Sequence, residues 1–226
     1  MDLSFVVHKL AKFSANPGKV NFEGLIHFLR YIRDNNILGL KYYEDLNDVP
    51  VTGILRQANI KTRNHLMAFS DSSWKDCPDT GRSTGAYIIF YQGGSIDHRT
   101  HVLGPVAQSS AESEYNVACT AGMDLAHFRM LICEFLNKDP DIVPDEAPLI
   151  VLDSKSANCM AKNGKDIKHT RHIARRMHFV RNGEKCKMHK IYLCEGGLQL
   201  ADICTKNLSK PGLTPRMKNI MVRLEN

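Results

Sequence analysis

Two apolar runs in this chain stop at an aspartate: HLMAFSD, which ends on Asp71, and APLIVLD, which ends on Asp153. Both are too short for a core helix and both are followed by turn-forming or capping residues, so both read as buried β-strands. The next strand is GAYIIFYQGG, reached from the first through the turn CPDTG, and a third is expected at 96 to 106. SSAESEYNVACTAGMDLAHFRMLICEFLNK follows, in which Tyr115, Ala118, Cys119, Leu125, Phe128, Ile132 and Phe135 mark one stripe of a long helix. Strand, helix, strand and helix then complete a mixed α/β layout. Four parts are expected: residues 1 to 43, a polar linker at 44 to 65, the α/β region at 66 to 210 and a tail at 211 to 226. In the first part, NPGKVNFEGLIHFLRYIRDN predicts an amphipathic helix, with Pro17 in its first turn, before a short strand LGLKYY.

The acids carry the chemistry. Asp71 and Asp153 end strands, and Asp202 lies among Leu200, Ile203 and Leu208 in HKIYLCEGGLQLADICTKNL. On the long helix, Glu112 and Glu114 are two residues apart, about 200° around the axis, so only one of them can face a common site. Glu114 precedes Val117 and Ala118 on the packed side and is the expected member; Glu112 is left as a solvated or capping acid. A buried carboxylate persists only when paired, protonated or bound to a metal. Mg²⁺, with its preference for oxygen ligands, would satisfy four such groups, and two ions about 4 Å apart can activate water and stabilise the leaving oxygen in phosphodiester hydrolysis. The structural alternative is ordinary: Asp153 could cap a helix starting at Ser154, and Glu114 and Asp202 could be first-turn acids.

Composition narrows the field. The chain has 226 residues, 43% of them hydrophobic, enough for a sizeable core, and its formal charge of +6 favours an anionic partner. Its seven cysteines include no C-x-x-C pair, so they are expected to be reduced thiols of an intracellular protein. Asp2 stands where a signal peptide needs positive charge, and no apolar run reaches membrane-spanning length, so a soluble chain with no membrane partner is expected.

The strings SDSSWKDCPDTGRSTGAY, SSAESEY, VLDSKSA, KHTRHIARRMHFVRN and LQLADICTK resemble the ribonuclease H domain of copia-type retrotransposon polyproteins. NPGKVNFEGLIHFLRYI and LGLKYY resemble the end of the reverse transcriptase region of the same polyproteins. The resemblance implies a ribonuclease H-like fold, a mixed five-stranded sheet flanked by helices and preceded here by a small helical segment. It implies a metal cluster of Asp71, Glu114, Asp153 and Asp202, two Mg²⁺ ions for which Mn²⁺ can substitute, and endonucleolytic hydrolysis of the RNA strand of an RNA:DNA hybrid, leaving 3′-hydroxyl and 5′-phosphate ends. The implied partners are the hybrid and the rest of the polyprotein, in the cytoplasm or within virus-like particles. Related integrase and transposase cores end their acidic set on a helix glutamate; here the glutamate comes second. The paired aspartates of a polymerase palm are missing from residues 1 to 65, and the loop CEGGLQLAD lacks the histidine that many ribonuclease H enzymes carry before the last helix.

Between Lys162 and Lys190, ten lysines and arginines stand against Asp166 and Glu184. If HTRHIARRMHFVRN is helical, Arg171, Arg175 and His178 share a face, His172 and Arg176 flank it, and Ile173, Met177 and Val180 lie opposite. Lys168, Arg171, His172, Arg175 and Arg176 are therefore candidate phosphate contacts. Ser72, Ser83, Thr84, Ser154 and Asn158 are candidate groove contacts. His169, His172 and His178 lack a cysteine pair at zinc-finger spacing, and Trp74 and Tyr87 read as core or near-core aromatics rather than stacking platforms. Two readings from other classes stay open: a catalytically silent nucleic-acid-binding remnant, and a relic that docks partners through residues 1 to 43. Truncation to residues 66 to 226 separates the last, since an independent enzyme would keep most of its cleavage.

Overall fold

The computed structural model describes residues 1–43, 50–57, 66–104, 106–138, 147–162 and 174–223. A five-stranded sheet is built from β2 (Leu66–Ser73), β3 (Thr84–Tyr91), β4 (Gly94–Val102), β5 (Leu149–Leu152) and β6 (Lys190–Leu193), in the order β4-β3-β2-β5-β6. β2, β3 and β4 form an antiparallel meander, whereas β5 joins β2, and β6 joins β5, in parallel. The mixed sheet expected from the sequence is thus present. The long helix α4 (Ser110–Phe135) supplies the crossover from β4 to β5.

Alternation along the strands makes two cores. Ala68 of β2, Tyr87 and Ile89 of β3, and Ile150 and Leu152 of β5 pack with Tyr115, Val117, Ala118 and Leu125 of α4 and with residues of α5 (Lys155–Lys162) and α6 (Ala174–Lys185). Gly85 is needed for this approach: a Cβ there would lie 2.4 Å from Val117 Cγ2. On the opposite face Met67, Phe69, Ile88, Phe90 and Val151 pack with α3 (Pro50–Gln57) and α7 (Asp202–Thr205), and with Leu213 and Met217 of α8 (Lys210–Lys218).

That second core departs from the expected linker and tail. The segment expected as a polar linker contains α3, whose Val51, Ile54 and Leu55 are buried; spacing of i, i+3 and i+4 gives one apolar stripe even in a polar stretch. The expected tail contains α8 and β7 (Val222–Arg223), which pairs with β1 (Leu38–Gly39). The N-terminal segment is tied down as well. α1 (Ser4–Ala11) packs on α7 and β4, the Lys9 ammonium pairs with Asp76, and Tyr43 N–H donates to Gln92 O at 3.0 Å. The N-terminal amphipathic helix appears as α2 (Lys19–Asp34), with Phe22, Leu25, Leu29 and Ile32 exposed. Among the described residues no helix is long and apolar enough to cross a membrane, and all seven cysteines are free thiols.

Candidate metal centre

β2 and β5 run side by side in parallel with Met67 level with Leu149 and Phe69 level with Val151. Continuing that register past the end of β5 brings Asp153 level with Asp71. By alternation both fall on the same side of the sheet as Phe69 and Val151, the α7 face. Glu114 reaches the same point from the first turns of α4. One carboxylate oxygen from each of Asp71, Glu114 and Asp153 lies within 4.8 Å of the others. Asp71 and Glu114 are buried and Asp153 is half-buried.

The helix starts explain why these acids are available. Ser109 caps α4: its Oγ accepts from Glu112 N–H at 3.2 Å, and Glu112 Oε2 accepts from Gln108 N–H at 2.9 Å. Glu112 thus takes part in capping α4, its return bond going to the residue before the cap, and it is buried rather than solvated. Ser154 caps α5, its Oγ accepting from Ala157 N–H at 3.2 Å, which leaves Asp153 out of the capping role.

Glu114 Oε1 accepts from the N–H and the Oγ of Ser72 at 3.1 and 3.0 Å. Its other oxygen, Oε2, is buried with no hydrogen-bond partner. Burial, then the charges of Asp71 and Asp153, push the Glu114 carboxyl up to about 9. An acid in this condition is waiting for a proton or a cation. Three oxygens within reach of a single ion, and an orphaned acceptor on Glu114, fit a hard divalent cation.

Asp202 is arranged differently. It is buried at the start of α7, and Gln199 fixes the turn before it, donating to Ser70 O at 3.0 Å and accepting from Ala201 N–H at 3.2 Å. Asp202 Oδ1 accepts from Lys206 Nζ at 2.5 Å and Oδ2 from Arg216 Nη2 at 2.6 Å. The same ammonium lies 3.2 Å from Asp71 Oδ1, and Thr205 Oγ1 donates to Asp71 Oδ2. Burial followed by the Asp71 charge raises Asp202, against the two cations; burial opposes the charge on Lys206, yet Asp71 and Asp202 hold it protonated above its ordinary value. Asp202 therefore lies beside the three-carboxylate group but outside it, its oxygens taken by side-chain cations. Lys206, Arg216 and Thr205 went unread in the sequence. Lys206 lies one helical turn from Asp202 and could have been found by that spacing, whereas no local signal marks Arg216.

The expected substrate contacts divide. Ser72, Ser83 and Thr84 are buried, which corrects their reading as groove contacts. Ser72 serves Glu114, Ser83 Oγ accepts from Lys75 N–H, and Thr84 Oγ1 donates to Asp76. Ser154 is occupied as a cap, and Asn158 is half-buried with its Oδ1 unpaired. Arg176 donates to Asn116 Oδ1 at 2.7 Å, so part of its guanidinium serves the fold. Arg175 and His178 are exposed on α6, opposite buried Met177 and Val180. With Lys162, Arg181 and Lys185 they line a cleft of about 690 Å³. Lys168, Arg171 and His172, and also His169, lie outside the described residues. Tyr87 is a core residue as expected; Trp74 is not near-core but 43% exposed, because its indole N–H donates to Ala107 O at 3.1 Å and leaves the ring outside.

The mixed sheet and the carboxylates at the ends of its two adjacent parallel strands define an α/β protein with an acidic site at the edge of its sheet. The chain is similar to the retrovirus-related Pol polyprotein from transposon RE1 of Arabidopsis thaliana, with 27% identity over 92% of this chain. It is also similar to the one from transposon TNT 1-94 of Nicotiana tabacum, with 26% identity over 91%. It spans only 13% and 14% of the length of these relatives. Among solved structures, RNase H1 of the archaeon Halobacterium salinarum superposes with a TM-score of 0.43 at 13% identity, covering 59% of this chain and 88% of that one. No family model matches the chain.

Proposed function

We propose that this chain is the ribonuclease H portion of a retrotransposon polyprotein, a metal-dependent endonuclease that cuts the RNA strand of RNA:DNA hybrids made during reverse transcription. The observation that carries the reading is the convergence of Asp71, Glu114 and Asp153, with Glu114 Oε2 left buried and unpaired. Similarity to Pol polyproteins along most of the chain supports the biological setting, with the remainder of such a polyprotein as partner.

In this reading Asp71, Glu114 and Asp153 hold Mg²⁺, or Mn²⁺ in its place. A bound ion of this kind polarises a phosphoryl oxygen and lowers the pKa of a coordinated water. Ser72 fixes Glu114 with two hydrogen bonds to one oxygen and leaves the other without a protein partner. Strand ends hold the two aspartates at fixed register, so the carboxylates need little reorganisation. The exposed basic side of α6 and the end of α5, through Lys162, Arg175, His178 and Lys185, tracks the phosphate backbone, with affinity that weakens as salt rises.

A second reading, the silent nucleic-acid binder, is favoured by one observation: Lys206 and Arg216 already neutralise Asp202. A labelled RNA:DNA hybrid, offered beside DNA and RNA duplexes of the same sequence in Mg²⁺, separates the two. The enzyme reading expects cleavage of the hybrid RNA strand only, abolished by EDTA and by Asp153→Asn. Hybrid binding without cutting, unchanged by Asp153→Asn, supports the silent reading instead.

A further inference from the structure

Among the described residues, Asp202 has a cation on each oxygen, Glu114 and Asp153 have none bonded to them, and Asp71 stands between, with Lys206 on one oxygen. Around Asp71, Glu114 and Asp153 three oxygens converge and one buried acceptor has no partner. Between Asp71 and Asp202 the Lys206 ammonium contacts both carboxylates, at 3.2 and 2.5 Å. Arg216 closes the other oxygen of Asp202 at 2.6 Å and is itself fixed by bonds to Gln199 O at 2.8 Å and Gly196 O at 2.7 Å. Its side chain is 11% exposed, so it belongs to the packed structure and is not a mobile surface arm.

Resting on the metal-site reading above, we propose that Lys206 takes the place of a second divalent ion, so that the free protein binds one such ion at Asp71, Glu114 and Asp153. The expectation of two ions held by all four acids does not fit the arrangement around Asp202. Charge balance gives the reason. Four ionised carboxylates carry a formal charge of −4; Lys206 and Arg216 return +2, and a single divalent ion returns the rest. A second divalent ion would overcharge a buried site and would have to displace an ammonium already bonded to two carboxylates. Lys206 is thus a positioning residue: it orients Asp71 through Oδ1 while Thr205 holds Oδ2. It also sets how many ions the site accepts.

Mn²⁺ titration of the full chain tests this without any cleavage assay, with free Mn²⁺ counted by its electron paramagnetic resonance signal and folding checked by circular dichroism. The wild-type chain is expected to bind one Mn²⁺, and Lys206→Arg, which keeps the charge, also one. Lys206→Met is expected to bind a second ion at least about tenfold more tightly than the wild type does. Lys206→Gln, which keeps a donor to Asp202 but not the charge, gives the same result should the methionine variant not fold. Two ions of similar affinity on the wild type, or no second ion on either uncharged variant, overturn the proposal and leave the three-carboxylate site standing. A wild-type chain that binds no Mn²⁺, or an Asp153→Asn chain that keeps the ion, overturns the metal site itself.

Discussion

Glu114 and Asp202 are both buried acids beside Asp71, approached from opposite faces of the sheet, yet they are in opposite electrostatic conditions. Glu114 has hydrogen-bond donors on one oxygen, none on the other, and like charges as its neighbours. Asp202 has an ammonium on one oxygen and a guanidinium on the other. The difference teaches that acids gathered at the edge of a sheet do not form one interchangeable cluster. A carboxylate surrounded by carboxylates attracts an added cation, whereas one clasped by lysine and arginine has its counterions built in.

The largest effect expected from that contrast is on turnover. Asp153→Asn removes a charged member of the open side and should lower hybrid cleavage about a thousandfold, or ~4 kcal/mol of transition-state stabilisation, measured as single-turnover rate in Mg²⁺. A rate within a few-fold of wild type would show that the open side does not carry the chemistry.

A second prediction concerns what supports the clasped side. α3 and α7 share a core, with Val51, Ile54 and Leu55 facing it. Ile54→Ala should cost ~2–4 kcal/mol in denaturant unfolding. By the same packing, truncation to residues 66 to 226 strips α1 and α3 from the sheet and should unfold the chain or silence it, the reverse of what a detachable N-terminal part would do. Retention of full stability by the truncated chain would break this link.

The open side also predicts a pH dependence. The folded-state pKa of Glu114 is raised by burial and by Asp71 and Asp153, from 4.5 to about 9. Its protonated form favours folding, so that contribution is complete below about pH 4.5 and is lost as pH climbs through about 9. Asp153, raised chiefly by burial, acts with the same sign. Thermal melts in EDTA should therefore fall between about pH 5 and about pH 9, and Mg²⁺ should restore the upper end. A flat or rising profile in EDTA would contradict the crowding of acids.

Smaller effects sharpen the picture at single hydrogen bonds. Ser72→Ala removes the hydroxyl contact to Glu114 Oε1 and leaves the backbone N–H in place; cleavage should slow about tenfold, ~1.4 kcal/mol. Ser109→Ala removes the α4 cap and should cost ~1 kcal/mol of stability while the rate per folded molecule stays unchanged, since Glu114 is held by Ser72 and not by the cap.

Much of this site could be read from local pattern. Asp71 and Asp153 announce themselves because an apolar run stops at each, and Glu114 is separated from Glu112 by helix geometry together with its place before Val117 and Ala118 on the packed side. The partners were not legible. Ser72 stands beside Asp71 and reads as a candidate groove contact, yet the register of β2 turns it toward α4 and Glu114. Arg216 meets Asp202 only because α8 folds back over α7, a tertiary contact without a periodic signature; Lys206 is the exception, one helical turn from Asp202. α3 hides in a polar stretch because three apolar residues are enough to cover part of a sheet face but too few to dominate a window. Trp74 was misjudged for the opposite reason: a large aromatic suggests burial, but one hydrogen bond to Ala107 suffices to hold it half outside.

The central claim is that one divalent ion sits among Asp71, Glu114 and Asp153. Anomalous diffraction from crystals of the full chain soaked in Mn²⁺ tests it directly. A single peak within coordination distance of carboxylate oxygens from all three residues, with Lys206 still bonded to Asp202, is the predicted result. A peak elsewhere, or a Glu114 Oε2 satisfied by a protein donor with no ion nearby, would contradict it.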